Sequence, residues 1–307
     1  MKKDLLSEYD LSRKDFSVIF EKSRVLKKMM QEGRSYAPLK GKTLGMVFDK
    51  TSTRTRVSFE VGMYQLGGLA LFLNSRDTQL GRGESIADTA RVMSRYLDAI
   101  MIRTFSQESL EDYAHYSEIP IINGLTDLLH PCQILSDIFT IIEKRGSFES
   151  LKIAYIGDGN NVANSWINAA ARLPFHLSLA CPEGYDPDPV IVNRAKREAP
   201  LGVALLRDPF EAAADADVVY TDVWTSMGQE DQKEERAKVF RNYQVDSRLL
   251  KKANPDVMFM HCLPAHRGEE ITADVIDGPS SVVMDQAENR LHVQKAILEI
   301  LILNNRK

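Results

Sequence analysis

Short apolar segments alternate with helical stretches along this chain, and the alternation pauses once and then starts again. Strand–helix alternation favours a mostly parallel sheet covered on both faces by helices. In the first half, Ser12 and Asp15 read as a capping box for a helix carrying Phe16, Ile19, Phe20, Leu26 and Met30 on roughly one face. An apolar strand is expected at 43–48, a helix at 54–66 closed by Gly67 and Gly68, and a further helix at 84–97. Strands at 98–103 and 119–122 follow, and Pro131 opens another helix. Residues 143–150 (EKRGSFES) are polar and read as a linker. Beyond them come strands at 152–156, 176–180, 217–222, 257–261 and 281–284. Asp208-Pro209-Phe210-Glu211 marks a helix start, and a last helix is expected from 286 to about 303. The fold class expected is α/β, with two doubly wound parallel-sheet domains and helices on both faces. Their bounds are 1–145, joined by the C-terminal helix 286–307, and 146–285.

A chain of 307 residues is long enough for two such cores. Its balance of 39 Lys and Arg against 43 Asp and Glu gives a net charge of −4, which argues against a nucleic-acid partner. Three cysteines (Cys132, Cys181 and Cys262) lie far apart with no C-x-x-C pair, so neither a disulfide framework nor a zinc ribbon is expected. Acidic residues interrupt the start of the chain before any apolar leader forms, and the apolar tail 296–303 is too short to span a bilayer. A soluble cytoplasmic protein with no membrane partner is expected.

Four polar stretches fall at predicted strand ends or helix starts, the places where open α/β sheets bind ligands. The first follows strand 43–48 and reads Ser52-Thr53-Arg54-Thr55-Arg56. Hydroxyls, bidentate guanidiniums and the free N–H groups of a helix N-terminus suit a phosphate. A Ser or Thr cap with solvated arginines is the simpler account, but five such residues in a row favour the anion site. No Gly-x-x-x-x-Gly-Lys loop is present. The second stretch, His130-Pro131-Cys132-Gln133, opens a helix and offers His130 and Gln133 as donors to a carbonyl oxygen, or else as local caps. In the third, Gly157-Asp158-Gly159-Asn160-Asn161, Val162 stands where a dinucleotide fingerprint needs its last glycine. A polar turn facing a small substrate fits better than a nicotinamide site. The fourth pairs Asp222–Gly228 with His261-Cys262-Leu263-Pro264: Asp222 can hold an ammonium group, and Cys262 is either a buried hydrophobe or a polarisable group facing a ligand. Residues 229–241 are so charged that a solvated helix is expected there. No close His/Cys/Asp cluster suggests a metal, and no cofactor is expected.

STRTR at 52–56, HPCQ at 130–133, DGNN at 158–161, DVWTSMG at 222–228, HCLP at 261–264 and ENR at 288–290 together resemble the transcarbamoylase family, on its ornithine branch. The resemblance runs through essentially the whole chain. It implies a transferase that moves the carbamoyl group of carbamoyl phosphate to the δ-amine of L-ornithine, giving citrulline and phosphate without metal or organic cofactor. Residues Ser52, Thr53, Arg54 and Thr55 would hold the phosphate. Arg103, His130 and Gln133, with Pro131 and Cys132 beside them, would surround the carbamoyl group, and Arg290 would return from the last helix to the same pocket. Gln79 would reach into the site of a neighbouring subunit, because the family assembles as trimers with shared sites. Asn161, Asp222, Ser226 and Met227 would bind the α-amino and carboxylate ends of ornithine. Cys262 and Leu263 would lie where the δ-amine meets the carbamoyl carbon. Arg103, His130, Cys262 and Asp222 are the expected catalytic residues. Other acceptors within the resemblance are putrescine, N-acetylornithine and aspartate; outside it stands a non-catalytic binder of a phosphate ligand.

Overall fold

The computed structural model describes residues 2–74, 83–226, 228 and 230–305. The chain folds as two compact units, Met1–Phe139 with Glu288–Lys307, and Thr140–Ala287.

The first unit is built on four parallel strands, β1 (Thr43–Phe48), β2 (Leu69–Asn74), β3 (Ala99–Arg103) and β4 (Ile121–Leu125), in the order β2-β1-β3-β4. Its helices are α1 (Arg13–Gln31), α2 (Thr53–Gln65), α3 (Ile86–Tyr96), α4 (Gln107–Tyr116) and the start of α5 (Pro131–Arg145). Strands β1 and β3 are almost wholly apolar because helices cover both of their faces. The Ser12 box is present: Ser12 Oγ accepts from Asp15 N–H, and the Asp15 carboxylate accepts from Ser12 N–H.

The second unit carries β5 (Lys152–Ile156), β6 (His176–Ala180), β7 (Val203–Leu206), β8 (Val218–Thr221) and β9 (Met258–His261), again parallel, in the order β7-β6-β5-β8-β9. Around them lie α6 (Asn161–Arg172), α7 (Pro189–Glu198), α8 (Pro209–Ala213), α9 (Lys233–Phe240), α10 (Ser247–Leu250) and α11 (Ala273–Ile276). Trp166 of α6 packs edge-on against Tyr220, which stacks on Tyr155 across β5 and β8.

The last helix, α12 (Val283–Asn304), enters the first unit at Glu288 and packs there on α1, α2 and α5. Lys22 pairs with Glu299 at 2.8 Å, Lys295 donates to Gln65 at 2.9 Å, and Arg290 donates to Gln133. Gly62 faces this helix, with Lys295 Cγ only 3.3 Å from where a Cβ would stand.

Two readings of local pattern change. The strand expected at 281–284 is a single bridge between Phe259 and Ser281, and from Val283 the chain is helical. A run of β-branched residues does not make a strand where the long helix that follows recruits it. Strands β2 and β7 and helices α4 and α7 form without having been expected. Both strands, LALFLN and VALL, are apolar runs at sheet edges that remain partly exposed in the fold.

Each sheet has one point where neighbouring strands lead their connections in opposite directions, between β1 and β3 in the first unit and between β5 and β8 in the second. The carboxyl ends at such a point leave a crevice for a ligand. Phe48 pairs with Arg103 there in the first unit, and Ile156 with Thr221 in the second.

Candidate active site

In the first unit the loop after β1 and the end of β3 are drawn together, with Asp49 N–H donating to the Arg103 carbonyl at 2.9 Å. Ser52 caps α2 by accepting from Thr55 N–H, and Thr53 is the first residue of that helix. The helix N-terminus thus brings its partial positive charge to the crevice. Arg290 closes the arrangement from α12: Nη2 donates to Thr55 Oγ1 at 2.9 Å, Nη1 donates to Gln133 Oε1, and Nη1 lies 3.4 Å from His130 Nε2. Gln133 is fixed in turn by donating to Asp137 Oδ1 at 2.7 Å. Thr55, Arg103, His130, Gln133 and Arg290 are all buried, whereas Arg54 is half-buried.

Burial pushes the His130 pKa well below the usual histidine range, and the guanidiniums of Arg290, Arg103 and Arg54 add to the effect. His130 is therefore a neutral imidazole. A guanidinium can only donate, so Nε2 facing Arg290 is the acceptor and the ring proton sits on Nδ1. Pro131 is the first residue of α5, and the Cys132 thiol turns away to donate to the Asn123 carbonyl at 3.3 Å. Burial raises that thiol to about 12, so it stays protonated.

The second unit assembles a hydrogen-bonded chain at its own crevice. Asn160 caps α6, accepting from Val162 N–H and Ala163 N–H, and donates to Asp222 Oδ2 at 2.8 Å. Asp222 Oδ1 accepts from Val223 N–H at 2.8 Å and from the Cys262 thiol at 2.9 Å. Behind Cys262, His261 Nδ1 accepts from Leu263 N–H at 2.9 Å while Nε2 faces the buried Glu270 carboxylate at 3.2 Å. Leu263 is held at φ 57°, a left-handed conformation costly for a branched side chain and typical of functional turns. Gly159 makes the neighbouring turn possible, since a Cβ there would stand 2.2 Å from Pro187 N. Asn161 opens α6 and Ser226 is half-buried beyond β8.

Asp222, His261 and Cys262 offer donor atoms within 4.8 Å of one another, a grouping that sequence spacing does not reveal because two segments contribute it. Each is already committed to the chain just described. Gln79 and Met227 lie outside the described residues. Residues that sequence reasoning misses include Lys50, whose ammonium pairs with Asp127 and lies 4.4 Å from the Phe105 ring centroid, and Glu270 behind His261. Lys50 belongs to the polar run 49–56 that follows the first strand but is given no role by it; Glu270 carries no signal.

These geometries coincide with a family likeness over the whole chain. The profile described as "Aspartate/ornithine carbamoyltransferase, carbamoyl-P binding domain" matches residues 3–143, and "Aspartate/ornithine carbamoyltransferase, Asp/Orn binding domain" matches 149–301. Two relatives called ornithine carbamoyltransferase align over 98% of this chain and all of their own length. That of Syntrophus aciditrophicus is 72% identical, and that of Geobacter metallireducens 53%. The solved structure of the ornithine carbamoyltransferase from Pyrococcus furiosus is 54% identical, with a TM-score of 0.95 over 99% of this chain and 98% of that one.

Proposed function

This chain belongs to the aspartate/ornithine carbamoyltransferase family, and from that premise we propose that it transfers the carbamoyl group of carbamoyl phosphate to the δ-amine of L-ornithine. The first unit is the carbamoyl phosphate domain and the second the ornithine domain. The observation that carries the reading is the buried cluster of Thr55, His130 and Gln133 around Arg290, with Arg103 beside the loop that leads into α2.

Backbone N–H groups and hydroxyls of Ser52, Thr53 and Thr55, with Arg54, hold the phosphate. Arg103, His130 and Gln133 surround the carbamoyl group, with Arg103, His130 and Thr55 as donors to its oxygen; Arg290 returns to the same pocket, and Pro131 and Cys132 lie beside it. The neutral δ-amine attacks the carbamoyl carbon, a C–N bond forms, and negative charge grows on the carbonyl oxygen. Hydrogen-bond donors placed for that oxyanion are each worth roughly 3–4 kcal/mol in comparable sites. The bond between the carbamoyl carbon and the bridging phosphate oxygen then breaks, and phosphate leaves with the electron pair against Arg54 and the helix N-terminus. Neutral His130 adds a donor without adding a proton to the chemistry. Asn161, Asp222, Ser226 and Met227 bind the α-amino and carboxylate groups of ornithine. Cys262 and Leu263 line the reacting centre, and the Cys262 thiol on Asp222 is the candidate to accept and relay the amine proton.

The enzyme acts as a homotrimer in which Gln79 of one copy completes the site of the next. What supports this is an apolar sheet edge: β2 is the outer strand, its Leu69 is 57% exposed, and Tyr64 on the adjoining α2 is 80% exposed. Exposed apolar edge strands ordinarily need a partner. The cytoplasm is the proposed compartment, consistent with three free cysteines. No helix among the described residues is long and apolar enough to cross a membrane.

Citrulline formation from ornithine, assayed beside putrescine, aspartate and N-acetylornithine, tests the reading. Turnover of ornithine is expected; turnover with only the other three would overturn it, and no turnover with any would leave a phosphate-ligand binder.

A further inference from the structure

The charged stretch 229–241 looks solvated in sequence, yet Arg236 within it is only 4% exposed. Its guanidinium lies 4.7 Å from the Tyr185 ring centroid and 5.2 Å from that of Phe240, which itself stacks on Trp224. From there Nε donates to the Trp224 carbonyl, and Nη2 forms an ion pair with Asp158 Oδ2 at 2.5 Å. One side chain therefore ties α9 both to the segment just past β8, which carries Asp222 and Ser226, and to the Gly157–Asn161 turn after β5.

A guanidinium removed from water costs free energy unless it is paired with good geometry, and an apolar residue of similar volume would fill the aromatic box at lower cost. Stability is therefore a poor reason for an arginine here. Its position supplies another. Asp158 and Asp222 flank the same crevice; burial raises the Asp158 carboxyl to about 6 even with Arg236 beside it pulling it down, and the charge of Asp222 adds to the rise. Asp222 is also the residue to which Asn160 and Cys262 donate.

Resting on the ornithine reading above, we propose that Arg236, through its ties to Asp158 and the Trp224 carbonyl, is a positioning residue that holds the two walls of the ornithine site in their binding arrangement. Its partners among the described residues, Asp158, the Trp224 carbonyl, Tyr185 and Phe240, all belong to the second unit, so its removal should weaken ornithine capture and spare carbamoyl phosphate.

The test compares Arg236→Met, Arg236→Lys and Asp158→Asn with the wild-type enzyme in steady-state citrulline assays, with circular dichroism and Tm recorded for each. Arg236→Met keeps the bulk and removes both polar ties. Its ornithine KM should rise at least about tenfold while its carbamoyl phosphate KM stays within about twofold. Arg236→Lys, which keeps a charge for Asp158 but not the Nε donor to the Trp224 carbonyl, should fall between wild type and Arg236→Met. Adding Asp158→Asn to Arg236→Met should cost little more than Arg236→Met alone, since the two residues act as a pair. A folded Arg236→Met enzyme with an unchanged ornithine KM would overturn the proposal, as would equal loss for both substrates in step with a lower Tm. Should Arg236→Met not fold, Arg236→Lys is judged by the same criterion. Absence of citrulline from the wild-type enzyme would instead remove the reading on which the proposal rests.

Discussion

His130 illustrates how much of a residue's chemistry is set by what surrounds it. An imidazole with an ordinary pKa would be partly charged near neutrality, but burial among three guanidiniums keeps this one neutral. The folded state therefore binds fewer protons here than the unfolded chain once the pH drops below about 6.5. Stability from this group is fully present above that pH and is lost as the pH falls toward the depressed folded value, at no more than about 1.4 kcal/mol per pH unit. Thermal melts between pH 7 and 5 should accordingly show a steeper acid decline in Tm for the wild type than for His130→Gln. Parallel curves would mean that the ring is charged in the fold. His130 stands out in sequence because it precedes Pro131 at a helix start; its tautomer does not, because Arg290 imposes it from 160 positions further along the chain.

Elements show the same division. Helix α2 is legible from Ser52 onward because a cap and the helix it opens are neighbours in sequence. The turn before α6 is legible as Gly157-Asp158-Gly159, but why Gly159 must be glycine is not: the obstacle is the backbone of Asp186 and Pro187, a separate loop. Gly159→Ala should force the turn away from that loop and displace Asn160 from Asp222. A Tm lower by several degrees is expected, matching about 1–3 kcal/mol of overpacking, together with a raised ornithine KM. Calorimetry and steady-state kinetics on the one variant check both; an unaltered Tm would mean that the loop yields freely. Helix α9 is the mostly exposed helix that its charge leads one to expect, with Arg236 and Phe240 as the exceptions, for a related reason. Charge density describes a segment's average affinity for water, whereas Arg236 and Phe240 are buried by what Tyr185, Trp224 and Asp158 offer them.

For the whole molecule, the proposed trimer makes each active site depend on two copies of the chain. Arg54→Ala damages a copy's own phosphate site, and Gln79→Ala damages what that copy lends to its neighbour. Each variant alone should be nearly inactive. After the two are mixed, dissociated and reassembled, about a quarter of the sites should be intact, with activity to match. No recovery would show that sites are not shared. The sequence by itself determined that the chain is α/β with parallel sheets and that polar segments stand near the ends of strands and the starts of helices. Those properties rest on period, caps and neighbouring residues, which are local. Only the tertiary structure decided that Arg290 meets Thr55, Gln133 and His130, that Asp222 receives both Asn160 and Cys262, and that an arginine from a charged helix is buried beside Asp158. Such meetings join segments dozens to hundreds of residues apart. They follow from strand order and from whether each buried charge finds a partner, neither of which is written in any one segment.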